Sequence, residues 1–412
     1  MLNHFAVPRG EPGGTRHIEM FGRLRGWKHL IVASKLNLTT GRRQAARPGF
    51  LPVWVSPYKG NGVTRILNWC TYVASSLLAG LRLRNTPPDV VYASSPHLLA
   101  GASGYVLSRI YRSPFVLEIR DLWPRVVADM GQMAPESFIY RALSQLEHFL
   151  YQRADAIVTM APGTGHYLED LGVDGRKIHY IPNGADPSDF MPSGPRDHLR
   201  ARYGFTRFTA VYTGAHGPAN GLDALLSAAA DLKESAVEIV LVGDGAEKER
   251  LRGIARKQGL QNVRFMEPIP KEEIPDLLRA ADVGLHILAD VALFRTAVSP
   301  NKLFDYMAAG LPVVTNSCGV VENWVKGSGA GWCVDTDDLA NQLRRLSRSG
   351  DAMLQDHGRR GRAWIQASQS RSAMSTRLEH LLWDVADSEL SRTGATGSHG
   401  LTSTHNQAEG PR

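Results

Sequence analysis

The segment Ser299-Pro-Asn-Lys-Leu-Phe-Asp-Tyr-Met-Ala-Ala-Gly-Leu-Pro-Val-Val314 predicts a short helix that runs directly into a buried strand. Pro300 suits the start of a helix and Gly310 suits its end, because proline has no N–H to leave unpaired and glycine tolerates the left-handed conformation of a helix C-terminus. The apolar stretch 312–314 then has the character of a strand. A helix followed by a strand is part of the repeating unit of a parallel sheet.

The same alternation continues on both sides of this segment. Twelve short apolar runs are separated by longer helical patterns, which is typical of parallel, doubly wound sheets. Twelve strands exceed one ordinary sheet, so the sequence predicts an α/β protein with two doubly wound domains. The predicted strands are 29–34, 51–56, 89–94, 114–119, 154–160 and 178–181 in the first half, and 208–212, 237–242, 263–265, 283–287, 312–315 and 331–334 in the second.

A concentration of Gly, Pro, Asn and Asp between residues 183 and 200 predicts the domain boundary. We assign residues 1–190 to the N-terminal domain and residues 191–377 to the C-terminal domain, with a final helix near 378–388 packed back on the first domain. Residues 389–412 are rich in Ser, Thr, Gly and His, and predict a disordered tail. The first strand is either very short or begins upstream of the first residue given.

The composition is that of an ordinary globular protein, with 412 residues of which 43% are hydrophobic and 21% charged. No apolar run is long enough to predict a membrane span, and charged residues interrupt any signal peptide. The three cysteines, Cys70, Cys318 and Cys333, are far apart. They form neither a zinc pattern nor a disulfide framework, which suits a reducing cytoplasm.

The positive charge is concentrated in one half of the chain. Residues 1–190 hold 21 Lys and Arg against 14 Asp and Glu, an excess equal to the net charge of +7 of the whole chain. Such a half could face nucleic acid, an anionic membrane or a phosphorylated substrate. The basic residues are scattered and no nucleic-acid-binding pattern accompanies them, so we predict no nucleic-acid partner.

Two glycine turns and one helix start predict an anion site in the second half. Gly214 and Gly243 each follow a predicted strand, where backbone N–H groups can approach a phosphate. Lys302 lies in the first turn of the helix at 301, a position that the helix dipole disfavours unless an anion is bound. Asp305 follows one turn later. The alternative for this pair is a solvated Lys/Asp contact on a surface helix.

Two candidates for acceptor chemistry follow strands of the first half. Asp121 lies at the predicted carboxyl edge of the first sheet, where ligands of open α/β sheets bind, and a carboxylate there could accept a proton from an attacking hydroxyl. Asp121 could instead pair with Arg120 or Arg125. His97 follows the preceding strand and could equally be a packed or capping histidine.

In these segments, and along nearly the whole chain, the sequence resembles the family 4 retaining glycosyltransferases of the GT-B fold. The variants R-D-L-W-P at 120–124 and S-P-N-K at 299–302 are most similar to bacterial transferases of O-antigen, capsule or colanic-acid-type polysaccharide. The motifs that carry the resemblance are Gly13-Gly-Thr-Arg16, Glu118-Ile-Arg-Asp-Leu-Trp-Pro124, Ile181-Pro-Asn-Gly-Ala-Asp186, Tyr212-Thr-Gly214, Leu241-Val-Gly-Asp-Gly245, Ala280-Ala-Asp-Val283 and Ser299–Val314.

The resemblance implies two Rossmann-like domains facing across a cleft, with a nucleotide sugar in the second and the acceptor in the first. It implies no cofactor and no metal ion. Asp335-Thr-Asp337 matches the D-x-D metal motif of another transferase fold, but its place before a helix favours N-capping. The site residues predicted from the pattern and the resemblance together are Asp121 and Asp305 for catalysis; Gly13, Gly14, Gly214, His216, Ile269, Asn301, Lys302 and Leu303 for the donor; and His97 and Arg120 for the acceptor.

The sequence departs from the family at three positions. The family commonly has two glutamates eight positions apart, and Asp305 occupies the second position while Ala297 occupies the first. Ala215 and Asn220 stand where many relatives have Arg and Lys. Two cations that usually bind the diphosphate are therefore missing, and Lys302 is the expected replacement.

Residues 66–83 give a clue to the acceptor. This stretch is flanked by Arg65 and Arg84 and contains Trp69 and Tyr72, which suits a helix lying in a membrane surface. The alternative is a buried helix of the first domain.

Taken together, these features predict retaining, metal-independent transfer of a sugar from a nucleotide-sugar donor to a lipid-linked saccharide. We expect a UDP-linked and N-acetylated donor sugar, a polyprenyl-diphosphate acceptor, and an enzyme peripheral to the inner face of the cell membrane. The alternatives are a nucleotide-sugar 2-epimerase of the same fold and a non-catalytic nucleotide-sugar-binding subunit.

Overall fold

The computed structural model describes residues 1–393, apart from residues 9, 12, 38, 39 and 59–61, and describes side chains as far as residue 388. Each half of the chain forms a parallel sheet covered by helices. The predicted disordered tail lies outside the described residues from 394 onward, whereas residues 389–393 continue the last helix.

The N-terminal domain is built on a parallel sheet whose centre includes the start of the chain. Its strands are β1 (Ile31–Ser34), β2 (Phe50–Val53), β3 (Val91–Ser95), β4 (Phe115–Ile119), β5 (Ala156–Thr159) and β6 (Ile178–Tyr180). β1 pairs with β2, and β3 to β6 pair in sequence order. Leu2 joins the two groups, since it forms parallel bridges to Val32 on one side and to Ala93 on the other. The helices are α1 (Arg16–Phe21), α2 (Val63–Leu81), α3 (Leu98–Tyr111), α4 (Arg125–Asp129), α5 (Phe138–Arg153) and α6 (Pro162–Asp170).

The C-terminal domain is a second doubly wound sheet. Its strands are β7 (Phe208–Thr213), β8 (Val237–Val242), β9 (Val263–Met266), β10 (Val283–His286), β11 (Val313–Thr315) and β12 (Gly331–Cys333). The order across the sheet is β12-β11-β10-β7-β8-β9, and all pairs are parallel. The helices are α7 (Arg196–Tyr203), α8 (Asp223–Asp231), α9 (Lys248–Lys257), α10 (Ile274–Ala280), α11 (Asn301–Ala308), α12 (Val320–Ser328), α13 (Leu339–Ser347) and α14 (Asp351–Ser368).

The final helix, α15 (Arg371–Thr393), crosses back to the N-terminal domain. Met374 and Leu378 pack in the same apolar core as Met20 and Phe21 of α1. The crossing begins at residue 371 rather than 378, and Phe190 already packs in the C-terminal core. The predicted domain bounds, 1–190 and 191–377, stay predictions.

All 12 predicted strands are present, with ends displaced by at most three residues. Strands that are buried on both faces are continuous apolar runs, and such runs are easily recognised. Among the helices of the described residues, none combines the length and the apolarity needed to cross a membrane.

A buried carboxylate on β4 organises the N-terminal sheet. Glu118 is fully buried, and its Oε1 accepts hydrogen bonds from the His17 ring at 2.6 Å and from the Ser94 hydroxyl at 3.0 Å. Its Oε2 accepts from the Tyr92 hydroxyl at 2.8 Å and from Arg16 at 3.2 and 3.3 Å. Burial alone would raise the pKa of Glu118, but the neighbouring His17 and Arg16 outweigh it and hold that pKa well below its usual range.

Arg16 extends this network to the interdomain segment. Its remaining N–H groups donate to the carbonyl oxygens of Ile181 and Pro182 at 2.9 and 2.8 Å, and to Asn183 Oδ1 at 3.1 Å. All five guanidinium donors are therefore satisfied inside the protein. The first loop, the central strand β4 and the start of the interdomain segment are held together by two charged side chains.

We expect Glu118→Gln to destabilise the protein by about 3–5 kcal/mol, because it leaves the Arg16 charge buried without a counter-ion. The pH dependence is a second readout. A depressed folded-state pKa gives stability that is fully present above the unfolded value of 4.5 and is lost as the pH falls below it. The gap in apparent unfolding midpoint between wild type and variant should therefore narrow from about pH 5 downward. Glu136→Gln, at an exposed carboxylate of the same domain, is the control. A Glu118→Gln midpoint equal to that of this control would contradict the network.

Candidate functional site

Contacts between the domains place the carboxyl ends of the two sheets opposite each other. Three backbone N–H groups of the N-terminal domain donate to the C-terminal domain: that of Gly10 to Glu272 Oε1 at 3.0 Å, that of Gly163 to the Thr296 carbonyl at 3.1 Å, and that of Asn183 to Ser299 Oγ at 3.1 Å. Gly163 lies in the first turn of α6, which follows β5, and Asn183 lies in the segment that follows β6. Since ligands of open α/β sheets bind at this edge, the cleft between the domains is the candidate site.

Two glycine turns form the floor of the cleft in the C-terminal domain. Gly214 and Gly243 have φ values of 140° and 145°, which L side chains rarely adopt. A Cβ atom on Gly243 would lie only 1.9 Å from the Gly214 carbonyl oxygen, so the two turns pack backbone against backbone. A Cβ atom on Gly214 would lie 3.0 Å from Lys302 Cε. The absence of a side chain at Gly214 therefore leaves room for the Lys302 side chain.

Lys302 is a partly buried cation whose contacts are all neutral. Its Nζ donates to the Tyr212 hydroxyl at 3.0 Å and to Asn220 Oδ1 at 2.6 Å, and lies 4.5 Å from the centre of the Tyr212 ring. No carboxylate of the described residues forms an ion pair with it. Loss of hydration lowers the pKa of Lys302 to about 7. Lys302 could therefore form an ion pair with an anionic ligand, because no carboxylate of the described residues is paired with it.

The start of α11 presents a further polar group. Asn301 Oδ1 is buried and has no hydrogen-bond partner among the described residues. The side chain of Leu303 is fully buried in the C-terminal core, and the donor role predicted for Leu303 stays a prediction. Its backbone N–H lies at a helix start, where N–H groups are free of helical partners.

Asp305 does not pair with Lys302. Its Oδ2 forms an ion pair with Lys271, which follows Ile269 in the loop after β9. Its Oδ1 is buried without a partner among the described residues, and the residue is 7% exposed. Asp305 therefore keeps one oxygen that can accept a hydroxyl of a ligand, while Ile269 packs partly against the C-terminal core.

His216 lies below the cleft surface rather than in it. The residue is fully buried between the rings of Tyr212 and Phe265, and neither ring nitrogen has a partner among the described residues. Burial and the nearby Lys248 lower the pKa of His216 to about 4, so the ring is neutral. The donor role predicted for His216 stays a prediction, and its side chain is not exposed.

On the N-terminal side, the loop that contains Gly13 and Gly14 folds back against residues 6 and 7. Gly13 has a φ of 140°, and the Gly14 carbonyl accepts a hydrogen bond from the Val7 N–H at 3.3 Å. The loop then continues into Arg16, which forms an ion pair with Glu118. The donor role predicted for Gly13 and Gly14 stays a prediction.

Asp121 follows β4 and is exposed to the cleft. Its carboxylate forms no hydrogen bond or ion pair with the described residues, and Arg125 pairs instead with Asp129 at 3.6 Å. The structural alternative of a salt bridge is therefore not observed. Loss of hydration raises the pKa of Asp121, although the nearby Arg120 charge opposes this. The role of Asp121 as the acceptor-side base stays a prediction.

His97 is not available as an exposed acceptor contact. The residue is 1% exposed, and its Nε2 shares a hydrogen bond of 2.8 Å with Nδ1 of His4. Burial holds the pKa of His97 well below its usual range, so it is neutral. The sequence could not distinguish this packed histidine from a functional one.

Sequence reasoning missed Lys271, which pairs with Asp305 and is marked by no local pattern. Tyr212 belongs to a motif that the sequence analysis identified, but its contact with Lys302 was not predicted. Asn220 was seen only as a lost cation, yet it accepts a hydrogen bond from Lys302. Ala297 packs against the N-terminal core beside Trp123, so the position of the family's first glutamate is part of an apolar contact.

No group of three or more His, Cys, Asp or Glu side chains in the described part of the chain is arranged to hold a metal ion. Asp335 precedes a single turn of 3-10 helix, Thr336–Asp338, but makes no side-chain capping bond. The predicted capping role of Asp335 is therefore wrong in detail.

Comparisons with known proteins agree with this arrangement. Residues 22–184 match the family described as glycosyl transferase 4-like domain, and residues 207–349 match the glycosyl transferases group 1. The chain is 23% identical over 265 residues to a protein of Escherichia coli K12 named as the colanic acid biosynthesis glycosyl transferase WcaI. The alignment covers 63% of this chain and 64% of that protein, which is less than two thirds of its length.

Two solved structures share the fold. Sucrose-phosphate synthase from Thermosynechococcus elongatus superposes with a TM-score of 0.74 at 18% identity, covering 94% of this chain and 98% of that one. HepE of Anabaena in complex with UDP-glucose superposes with a TM-score of 0.69 at 17% identity, covering 93% and 98%. The chain belongs to the family 4 glycosyltransferases of the GT-B fold, with a glycosyl transferase 4-like domain in its first half and a glycosyl transferases group 1 domain in its second.

Proposed function

We propose that this protein transfers a sugar from a nucleotide-sugar donor to a saccharide acceptor, with retention of anomeric configuration. The observation that carries the proposal is the state of Lys302. A lysine that lies at a helix start, beside a glycine turn and among neutral partners, is suited to an anion that arrives and leaves. The diphosphate of a nucleotide sugar is such an anion, and it gains charge as the sugar departs.

The proposed chemistry follows from where charge develops. As the glycosidic bond to the diphosphate breaks, Lys302 and the N–H groups at the start of α11 stabilise the leaving group without a metal ion. Asp121, on the opposite side of the cleft, accepts the proton of the attacking acceptor hydroxyl. Asp305 Oδ1 accepts a hydrogen bond from a donor hydroxyl. The raised pKa of Asp121 makes this carboxylate a stronger base than an ordinary aspartate.

The nature of the two substrates is also a proposal. HepE, which shares the fold, has been solved with UDP-glucose, and this supports a UDP-linked donor; an N-acetylated amino sugar remains our expectation from the sequence. WcaI is named for colanic acid biosynthesis, which supports a role in bacterial surface polysaccharide. We propose a polyprenyl-diphosphate-linked saccharide as the acceptor.

A surface of the N-terminal domain supports an acceptor that is held in a membrane. We call it the α2 apolar face, and it consists of Val63, Ile66, Leu67 and Leu78, which are 81%, 51%, 54% and 62% exposed. Their spacing along α2 places them on one side of the helix. α3 packs against α2, and it adds the exposed Val106 and Ile110.

The interfacial role predicted for two aromatics is wrong, whereas the apolar face itself supports the membrane proposal. Tyr72 is fully buried, and Trp69 packs inward against His97. Exposed arginines accompany the apolar side chains, among them Arg82 and Arg109. An apolar face with basic neighbours suits binding to the surface of an anionic bilayer. We propose that the protein works there, on the inner face of the cell membrane.

The proposal is tested by incubating the protein with a panel of UDP-sugars, with and without a membrane extract that contains lipid-linked saccharides. Release of UDP that is stimulated by the extract, with an α-linked product from an α-linked donor, is expected. An epimerised nucleotide sugar would instead indicate an epimerase, and binding without any turnover would indicate a non-catalytic subunit.

Replacing Lys302 by Ala should weaken UDP binding about ten-fold or more, because a charge-assisted contact is lost. A bound diphosphate raises the pKa of Lys302 above its free value of about 7, so binding takes up a proton. The wild-type affinity for UDP should therefore fall as the pH rises from 7 to 9, and the affinity of Lys302→Ala should stay flat over that range. Isothermal titration at several pH values measures both.

Lys326→Ala is the matched control, since Lys326 is an exposed lysine of the same domain that pairs with Glu322 at 2.6 Å. This variant should keep the wild-type pH profile. A folded Lys302→Ala protein with wild-type affinity and profile would remove Lys302 from the donor site.

Asp121→Asn should retain UDP binding but lose about 10²–10⁴-fold in turnover with saturating acceptor, because the general base is absent. Asp129→Asn, at a carboxylate eight residues later at the end of α4, should keep its turnover. A loss of less than about five-fold for Asp121→Asn would show that another group takes the proton.

The double substitution Ile66→Glu and Leu67→Glu should abolish co-sedimentation with vesicles that contain anionic lipid, because both side chains are more than half exposed on the α2 apolar face. Wild-type binding should weaken at high salt. Met353→Glu, at an exposed apolar side chain of the other domain, should bind as wild type does. Equal partitioning of wild type to anionic and zwitterionic vesicles at both salt concentrations would argue against an interfacial surface.

A further inference from the structure

A short segment of the C-terminal domain packs into the core of the N-terminal domain. We call residues 291–297 the docking segment; it lies between β10 and α11, and its middle forms a single 3-10 turn, Ala292–Arg295. Leu293 is 6% exposed and belongs to the same apolar cluster as Leu122 of the N-terminal domain. α4 lies against the same turn. The docking segment therefore connects the two walls of the cleft through apolar packing.

The docking segment is also fixed to its own domain. Directly before it, the Leu288 N–H donates to Asn316 Oδ1 at 2.9 Å, and Asn316 Nδ2 donates to the Leu288 carbonyl at 2.9 Å. Within it, the Arg295 carbonyl oxygen would lie only 2.2 Å from a Cβ atom on Gly319, so the turn packs on the backbone at the start of α12. Because both points belong to the C-terminal domain, docking of Leu293 constrains the separation of the two domains.

The start of α6 approaches the docking segment too closely to leave room for a side chain. The Gly163 N–H donates to the Thr296 carbonyl at 3.1 Å, and a Cβ atom on Gly163 would lie 2.5 Å from Thr296 Cβ. The backbone of Gly163 is helical, so an alanine could adopt the same conformation. Glycine at this position therefore serves the close approach of the two domains and not the conformation of the chain.

Apolar docking favours the closed cleft more strongly than the polar contacts do. The hydrogen bonds that Gly10 and Asn183 donate to the C-terminal domain can be exchanged for bonds to water at little cost. A leucine that leaves an apolar core has no such exchange, and burying it shifts an equilibrium about ten-fold or more. The separation set by Leu293 is therefore the favoured one when the cleft holds no substrate.

This separation determines how far Lys302 lies from Asp121. Lys302, in the first turn of α11, follows the docking segment along the chain. Asp121 directly precedes Leu122, which shares the apolar cluster of Leu293. Ala297, where the family commonly has a glutamate, packs partly on the same cluster, and a carboxylate there would lose hydration. The proposed leaving-group contact and the proposed base are thus connected through one apolar contact between the domains.

We propose that the docking segment is a spacer that holds the two domains at the separation needed for sugar transfer, with Leu293 as its positioning residue. This inference rests on the proposed function, because it assigns the alignment of Lys302 and Asp121 to one contact between the domains. Loss of the contact leaves the binding residues of each substrate intact but moves the reacting groups apart. A misplacement of about 1 Å can cost about 10²-fold in rate.

Gly163→Ala tests the spacer most directly, because alanine suits a helix while the added methyl group meets Thr296. The variant should fold and bind UDP as wild type does. Its radius of gyration in small-angle X-ray scattering should be larger, and its turnover with the UDP-sugar and membrane extract should fall about 10²-fold. Gly165→Ala is the matched control in the same helix, since its Cβ atom would lie 3.7 Å from Ile178 Cγ2, an ordinary contact. It should match wild type in all of these measurements.

Leu293→Ser should have the same effects as Gly163→Ala, whereas Leu293→Met should behave as wild type does, because methionine keeps the apolar contact. Leu343→Ala, at a buried leucine of the C-terminal core, is the control for a loss of stability alone. It should lower the unfolding midpoint without changing the radius of gyration or the turnover. A folded Gly163→Ala protein with wild-type scattering and turnover would overturn the spacer. The scattering does not depend on activity, so absence of UDP binding to wild type would refute the proposed function separately.

Discussion

The buried carboxylate of Glu118 is the constraint on which the arrangement of the cleft depends. A charge in the middle of a sheet is tolerated only when its oxygens are fully hydrogen-bonded, and five donors from Arg16, His17, Tyr92 and Ser94 meet that requirement. Because two of these residues start α1, the loop that contains Gly13 and Gly14 must end at a fixed point. Arg16 also donates a hydrogen bond to Asn183 Oδ1, and the Asn183 N–H donates to Ser299 Oγ. Ser299 lies two residues before the start of α11. The ion pair between Glu118 and Arg16 thus fixes the end of the Gly13/Gly14 loop and, through Asn183, the segment that leads into α11.

The predicted donor site has fewer charged side chains than the family commonly has. Where the family commonly has further cations and a glutamate, this chain has Ala215, Asn220 and Ala297. Asn220 accepts a hydrogen bond from Lys302, and Ala297 joins an apolar contact between the domains. Lys302 is left with polar but uncharged partners, and its pKa falls to about 7 for that reason. A diphosphate site built on one lysine should therefore respond to pH in a range where a site with permanent arginine charge would not.

The acceptor side connects the cleft to the outside of the N-terminal domain through one helix. α2 buries Tyr72 against the His4 ring, directs Trp69 onto His97, and exposes Ile66 and Leu67. α2 therefore has an inner face of polar and aromatic side chains and an apolar outer face, and the outer face is the one that we propose for a membrane surface. The positive excess of residues 1–190 then lies in the half that would meet an anionic surface. The basic charge of residues 1–190 and the exposed apolar side chains of α2 belong to the same domain, and both are consistent with the membrane surface that we propose.

The sequence by itself determined the strands, the two-domain α/β architecture and the family, because runs such as Val237–Val242 and Val313–Thr315 are apolar on both faces and the turns between them have few chemical solutions. It also predicted site roles for Asp121, Lys302 and Asp305, whose positions at strand or helix ends follow from local order along the chain. Only the tertiary structure decided that Asp305 pairs with Lys271, that His97 and His216 are buried, and that Trp69 faces inward. Each of these outcomes depends on a partner from a distant strand or helix. Local patterns fix where a side chain lies in its own element, whereas the neighbour that satisfies its charge or hydrogen bond is fixed only when the sheets and domains come together.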